Sequence, residues 1–261
     1  MQTSICVCVV RSQKMHTANA FSLRQYHIIN GDIMEKKRIF SKTDVLLWII
    51  SVSLITISFF LFGGNSILTL AASLTGVTSI IINAKGHPAG QVLMVIFSIL
   101  YGIISYSFSY YGEMATYLGM TGPMAFFSFI SWIRNPYKKG SVQVKVNRIK
   151  LPEICIMLVI TAAVTFLFFH ILRFFGTSSL ALSTFSVTTS FAAVYLTFRR
   201  SPYFSLIYAM NDMVLIVLWS IASLSDSKYI SVVICFLLFM VCDIYGFINW
   251  KKMEKYQFGI D

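Results

Sequence analysis

The chain has 261 residues, 57% of them hydrophobic and only 12% charged, with a formal net charge of +11 at pH 7. Soluble domains carry about a quarter charged residues, so this composition, with a mean hydropathy of +0.74, excludes an ordinary soluble enzyme and reads as an all-α polytopic membrane protein. The positive charge does not read as nucleic-acid binding, because Lys and Arg fall almost wholly in short segments between apolar runs, where they report topology.

Residues 1–33 have mixed polarity and no helical period, and their apolar run 5–10 lacks the basic stretch that precedes a signal-peptide core. They are expected to be a cytoplasmic tail, or a start placed ahead of a true start at Met34. A bilayer span takes about 20 apolar residues, and 44–62 supplies the first, behind Lys36, Lys37, Arg38 and Lys42. Residues 34–65 thus form an extra N-terminal helix. Further spans are expected over 66–84, 90–108 and 112–132, the last with a kink at Pro123, then 153–172, 179–197, 203–224 and 229–250. Between the fourth and fifth, 133–150 carries Arg134, Lys138, Lys139, Lys145, Arg148 and Lys150 with no acid. Lys85, Arg199, Arg200, Lys251, Lys252 and Lys255 fall on the same side of the bilayer, whereas Arg173 and Lys228 alone fall on the other. That bias predicts eight spans with both ends cytoplasmic.

The turns KGHP at 85–88 and RRSP at 199–202 each follow a Ser/Thr-rich span, and each stands two helices before a Trp, Trp132 or Trp250, that is followed closely by a basic residue. Two three-helix units, 66–132 and 179–250, are therefore predicted, joined by the basic loop and linker helix of 133–178 and followed by a tail, 251–261. One intervening helix keeps both units the same way up, so the repeats are parallel. The first span lies outside this symmetry.

Asp212 and Asp243 sit inside runs otherwise fit for lipid, where a carboxylate is costly unless it is paired or faces a polar cavity. Helical spacing puts Tyr208, Asn211, Asp212, Leu215 and Trp219 on one face of the seventh span, and Phe239, Cys242, Asp243, Gly246 and Trp250 on one face of the eighth. On the third span, Gln91, Met94, Ser98, Tyr101 and Ser105 form a polar and aromatic stripe. Aromatic faces with carboxylates and amides nearby suit a flat cation that also carries hydrogen-bonding groups. Asp212, beside Asn211, is the stronger binding candidate, and Asp243 serves gating or helix packing as its alternative. Trp132 and Trp250 read as interfacial anchors, and Glu113 either meets an incoming cation or starts a helix.

Other chemistry finds little support. The surroundings AMNDMV and VCDIYG lack the GxGD of intramembrane aspartyl proteases, and there is no HExxH, GxSxG or Walker motif. The five cysteines form no CxxC or Cys/His spacing, so neither a metal nor a disulfide framework is indicated. No cofactor is expected.

The stretches SLTGVTSIIINAKG, IFSILYGIISYSFSYYGEMATYLGMTGPMAFFSFISW, YLTFRRSPYFSLIYAMND and DIYGFINWKKMEK resemble the PnuC family of bacterial vitamin transporters, over about 45–255. The resemblance implies a SWEET-like three-plus-one-plus-three core, frequently with an extra N-terminal helix, in the bacterial cell membrane. It also implies facilitated diffusion of nicotinamide riboside, trapped when a cytoplasmic kinase phosphorylates it to feed NAD biosynthesis. The alternatives are another flat cationic vitamin such as thiamine and, more remotely, an intramembrane enzyme. A phosphorylated ligand would need Lys or Arg in the cavity, and the spans hold none. The substrate-binding candidates are Asp212, Asn211, Gln91, Tyr101, Ser98, Trp219, Tyr208, Asp243 and Tyr245. One departure from the family stands three residues before Tyr245, where an Asn is frequent and this chain has Cys242. The reading is compatible with a homo-oligomer.

Overall fold

A computed structural model describes residues 40–63, 66–107, 111–177 and 179–259; the expected tail or misplaced start at 1–33 lies outside the described residues. Among these all regular elements are helical. They are α1 (Lys42–Ser58), continued by a π-turn at Phe59–Gly63, α2 (Ile67–Asn83), α3 (Ala89–Ser107), α4 (Tyr111–Thr116), α5 (Gly122–Ile133), α6 (Leu151–Phe174), α7 (Leu180–Phe198), α8 (Tyr203–Ser223) and α9 (Ile230–Phe258). A second π-turn, Tyr117–Thr121, joins α4 to α5 as one broken pass, which gives eight passes.

Six passes are long and apolar enough to cross a membrane by length and composition. The other two are α2, at 17 residues, and the broken α4–α5. These two fall short by length and by the break, not by polarity, since both are apolar. α2 packs against α1, α3 and α9, and α5 against α3 and α7. On α1, α5 and α6, Leu46, Ile57, Phe126, Phe127, Val159 and Phe166 are exposed, as lipid-facing residues are.

The break in the fourth pass has a local cause. Pro123 has no N–H to donate and its ring crowds the carbonyl four residues back, so the helix loosens into the π-turn just ahead of it. Gly102 of α3 allows close packing on the break: a Cβ there would come within 2.6 Å of Leu118 in the π-turn.

Within each repeat the middle helix packs against both others, α3 against α2 and α5, and α8 against α7 and α9. Between repeats the third helix of one meets the first of the other, α5 on α7 and α9 on α2. The outlying helices follow suit. α1 rests on α2 and α9, as α6 rests on α7 and α4. The pseudo-symmetry therefore extends to four plus four passes, and α1, read from sequence as outside it, occupies the place corresponding to α6.

The ends of α2 and α7 stop alike. At Gly86 (φ 66°) and Arg200 (φ 58°) the chain enters the left-handed region. The N–H groups of Gly86 and His87 return to the carbonyls of Asn83 and Ile82, and those of Arg200 and Ser201 to Thr197 and Leu196, a Schellman stop in both cases. Across these turns lies 143–147, the middle of the basic segment 133–150. Val144 N–H donates to Gly86 O and Asn147 N–H to Arg200 O, both at 3.0 Å. The segment is further clasped by Gln257, whose Oε1 accepts from Val146 N–H at 2.8 Å and whose Nε2 donates to Val144 O at 3.0 Å. It is thus a tethered strap, with Val144 and Val146 turned inward and Lys145 outward. Residues 251–261, expected as a tail, instead continue α9 to Phe258, and Glu254 there pairs with Arg148 and Lys251.

Candidate functional site

Helices from both repeats enclose a small chamber whose polar side is supplied by α8 and α9. Asn211 and Asp212 come from the middle of α8 and Asp243 from α9, and Asn83 of α2, Thr121 of the second π-turn and Ser190 of α7 add to the polar lining. The apolar walls include Phe97, Tyr117, Phe204, Tyr208, Phe236 and Phe239. No Lys or Arg lines the chamber.

The two carboxylates are held differently. Asp243 Oδ1 accepts from the Ser205 hydroxyl at 3.1 Å, whereas Asp212 Oδ2 is buried without a hydrogen-bond partner among the described residues. Both carboxyl groups line the one chamber. Two carboxyls enclosed in one small chamber away from bulk water share a proton or hold a cation between them. Beside them, Asn211 Oδ1 accepts from Ser186, Thr189 and Ser190 of α7 at 3.0, 2.8 and 3.1 Å. The Ser/Thr-rich face of α7 thereby fixes the Asn211 amide and orients it towards the chamber.

A second cavity, of about 340 Å³, lies on the side away from the basic face and reaches the loop that carries Asp226 and Lys228. Phe97, Phe236 and Phe239 line both cavities and form the partition between them. The chamber itself measures about 60 Å³, the liquid volume of roughly two waters, so it is contracted around its carboxylates.

Towards the basic face the chamber is closed by aromatic packing. Phe204 stands 6.3 Å from Tyr208, ring centre to ring centre, and 5.0 Å from Trp250, and Trp132 and Trp250 lie against the inward valines of the strap. Both indoles are fully buried, at 1% and 0% exposure. This corrects their reading as interfacial anchors: the two indoles meet at the repeat interface, not at lipid.

Of the nine residues singled out from sequence, the structure brings Asp212, Asn211, Tyr208 and Asp243 to the chamber. Tyr101 and Trp219 line the larger cavity. The other three lie elsewhere. Gln91 Nε2 donates to Asn83 Oδ1 at 2.8 Å in a buried network between the ends of α2 and α3. Ser98 donates back to Met94 O and packs under Gly122. Tyr245 turns to α1, where its hydroxyl donates to Asp44 at 2.5 Å, and Asp44 pairs with Lys85 at 2.7 Å. Cys242 likewise faces α1, 3.6 Å from Ser51 Oγ, so the departure from the family pattern leaves the chamber lining untouched. Asn83 and Ser190 were missed. Asn83 was signalled by its place as the last polar residue before the turn, and Ser190 by the hydroxyl-rich run of α7.

Comparisons with known proteins agree with this architecture. The profile of a family described as nicotinamide mononucleotide transporter matches residues 66–252. The chain is 23% identical to a nicotinamide riboside transporter PnuC of Neisseria mucosa over 218 residues, 82% of this chain and 82% of that protein. It is 22% identical to a nicotinamide riboside transporter PnuC of Haemophilus influenzae over 192 residues, 73% of this chain and 82% of the other. Its fold matches the crystal structure of the vitamin B3 transporter PnuC with a TM-score of 0.73 at 20% identity, covering 84% of this chain and 94% of that one.

Proposed function

Because the chain belongs to the nicotinamide mononucleotide transporter family, a family of multi-pass membrane transporters, we propose that it carries nicotinamide riboside, as the relatives from Neisseria mucosa and Haemophilus influenzae are named for doing. The observation that carries this reading is the chamber's charge: two carboxylates and two side-chain amides among aromatic walls, with no Lys or Arg. The riboside offers a pyridinium ring for the carboxylates and aromatic faces, and a carboxamide and ribose for the amides. Its mononucleotide adds a phosphate dianion, for which the chamber offers repulsion in place of a basic partner. The family's name thus fits the chamber less well than the dephosphorylated ligand does.

Transport proceeds by facilitated diffusion, the two repeats tilting about the chamber so that one side opens at a time. Asp212 takes the cationic ring, Asn211 and Asn83 its hydrogen-bonding groups, and the basic face is the cytoplasmic one, with both ends of the chain there. A kinase in the cytoplasm traps the product in a bacterial cell, and the protein itself catalyses no reaction. Counterflow in liposomes with the riboside, its mononucleotide and thiamine side by side tests the proposal. The riboside is expected to exchange best and Asp212→Asn to abolish exchange. Preference for the mononucleotide would sink the charge argument, and preference for thiamine the choice of vitamin.

A further inference from the structure

We propose that the larger cavity, on the side away from the basic face, is a docking site for a cationic aromatic ring with Glu113 as its counter-ion, distinct from the chamber at Asp212. The proposal rests on the cation-transport reading above. Its volume and its carboxylate, however, are its own, although Phe97, Phe236 and Phe239 line both cavities. The cavity holds about 340 Å³, within the range of small-molecule sites, about 300–1,000 Å³, whereas the chamber at about 60 Å³ is closed to a riboside in this conformation.

Glu113 projects into the cavity wall from α4, and its Oε2 accepts from the Tyr101 hydroxyl at 3.2 Å. It joins none of the ion pairs among the described residues. A partly buried carboxylate lining an aromatic cavity without a cation of its own is costly unless a ligand supplies one. Aromatic rings frame the space. Tyr101 packs on Tyr117 at 4.3 Å and Trp219 on Tyr229 at 5.2 Å, while Phe97 and Phe239, 6.3 Å apart, make the floor shared with the chamber. At the mouth the one ammonium, Lys228, is matched by Asp226 at 3.1 Å. With that pair matched, Glu113 leaves the lining net negative.

The arrangement selects for positive charge before selection for ribose or amide begins. A cation docks against Glu113 and the aromatic rings, and movement of Phe97 and Phe239 passes it to Asp212. Two tests of charge and shape then act in series, the first blind to the sugar.

Uptake of nicotinamide riboside by the full chain in proteoliposomes decides the matter, measured alone and with two competitors. 1-Methylnicotinamide is a cationic ring without ribose, and nicotinamide is the uncharged ring. In the unaltered protein the cation is expected to compete and the neutral ring not. Glu113→Gln is expected to raise KM about tenfold, the worth of one charge-assisted contact, to keep the maximal rate, and to lose inhibition by 1-methylnicotinamide; Glu113→Asp restores both. Ser231→Lys, on a partly exposed wall position, puts a competing ammonium in the cavity and is expected to raise KM likewise, which keeps the test decisive should Glu113→Gln not fold. Unchanged KM and unchanged competition in the folded variants overturn the docking site. Absence of riboside uptake by the unaltered protein overturns the transport reading instead.

Discussion

Trp132, in the last turn of α5, and Trp250, about two turns before the end of α9, pack with ring centres 5.3 Å apart and planes tilted by 55°, and each indole N–H reaches across to the other repeat, Trp132 to Thr197 O at 2.9 Å and Trp250 to Asn83 O at 2.8 Å. The acceptors are themselves equivalent, each a last-turn carbonyl of a first helix. The pair is therefore a two-fold seal across the basic face, and it must part if the chamber is to open there. Trp132→Phe and Trp250→Phe keep an aromatic ring but remove one hydrogen bond each, about 1 kcal/mol, and leave a cavity where the buried indole was larger, so the total cost exceeds that. Near-equal losses of thermal stability are expected, with faster alkylation, from the basic side, of a cysteine placed at Tyr208. Strongly unequal effects, or no change in alkylation, would contradict the symmetric seal.

Asp212 and Asp243 share a chamber but differ in how they are held, and their substitutions should differ accordingly. Asp243 already accepts from Ser205, so its carboxylate is partly committed to joining α9 to α8. Asp212 Oδ2 has no such tie. Asp212→Asn is expected to weaken riboside binding at least tenfold, the lower end for one charge-assisted contact. Asp243→Asn is expected to lower stability more than affinity. Calorimetric titration beside thermal unfolding separates the two, and equal affinity losses would argue that both carboxylates grip the ring.

The left-handed stops at Gly86 and Arg200 make a matched pair with unlike residues. A Cβ at Gly86 would meet Met253 at 2.7 Å, in addition to the strain of φ 66°. Gly86→Ala is therefore expected to cost more than about 1 kcal/mol. Arg200→Gly relieves similar strain but gives up the 2.7 Å bond from Nη1 to Ser131. It should come out near neutral. Melting curves in one detergent check both, and a marked gain from Arg200→Gly would show the Ser131 bond to be worth little.

Much of this was legible in the chain, for physical reasons that also set the limits. Apolar run length and the placement of Lys and Arg report the passes because the bilayer imposes both. The repeat shows through KGHP, RRSP and the two Trp residues, since equivalent turns need equivalent chemistry. The rotation of α3 did not show. As the middle helix it is packed by α2 on one side and α5 on another, so polar residues can face either neighbour, and the stripe through Gln91 and Ser98 is spent on helix contacts. For α9 the ambiguity is similar: α1 covers the face bearing Cys242 and Tyr245, while Phe239 and Asp243 face the chamber. Helical period alone cannot say which buried face meets a cavity.

His87 gives the turn after α2 a pH dependence. Its Nδ1 accepts from Ala89 N–H at 3.0 Å at the start of α3, and burial lowers the imidazole below its ordinary 6.5. The folded protein takes up this proton less readily than the unfolded chain. The stabilisation is thus present above pH 6.5 and is lost as the pH falls through 6.5 towards the lowered folded value. The melting temperature is expected to drop between about pH 7.5 and 5.5, and His87→Asn, whose Oδ1 can accept the same N–H, should remove that part of the drop. An unchanged pH profile would remove His87 from the account.

Tyr245 offers the sharpest contrast between a residue chosen from sequence and its place in the fold. Its hydroxyl binds Asp44 of α1, which is fully buried, and Lys85 completes the cluster with Nζ 5.7 Å from the Tyr245 ring centre. This cluster joins α1, the turn after α2, and α9 at the basic face, so its energy goes into holding α1 in the place that α6 fills in the other half. Tyr245→Phe is expected to cost about 1.5 kcal/mol of stability, the lower end for one hydrogen bond to a charged group, with KM for the riboside unchanged. Lys85→Met removes an ion-pair partner of a buried carboxylate and should cost more, about 3 kcal/mol, while Lys85→Met combined with Asp44→Asn should regain part of it. If Tyr245→Phe instead raises KM and spares stability, Tyr245 belongs to the binding path after all, and the packing of α1 against α9 must differ in the transporting state.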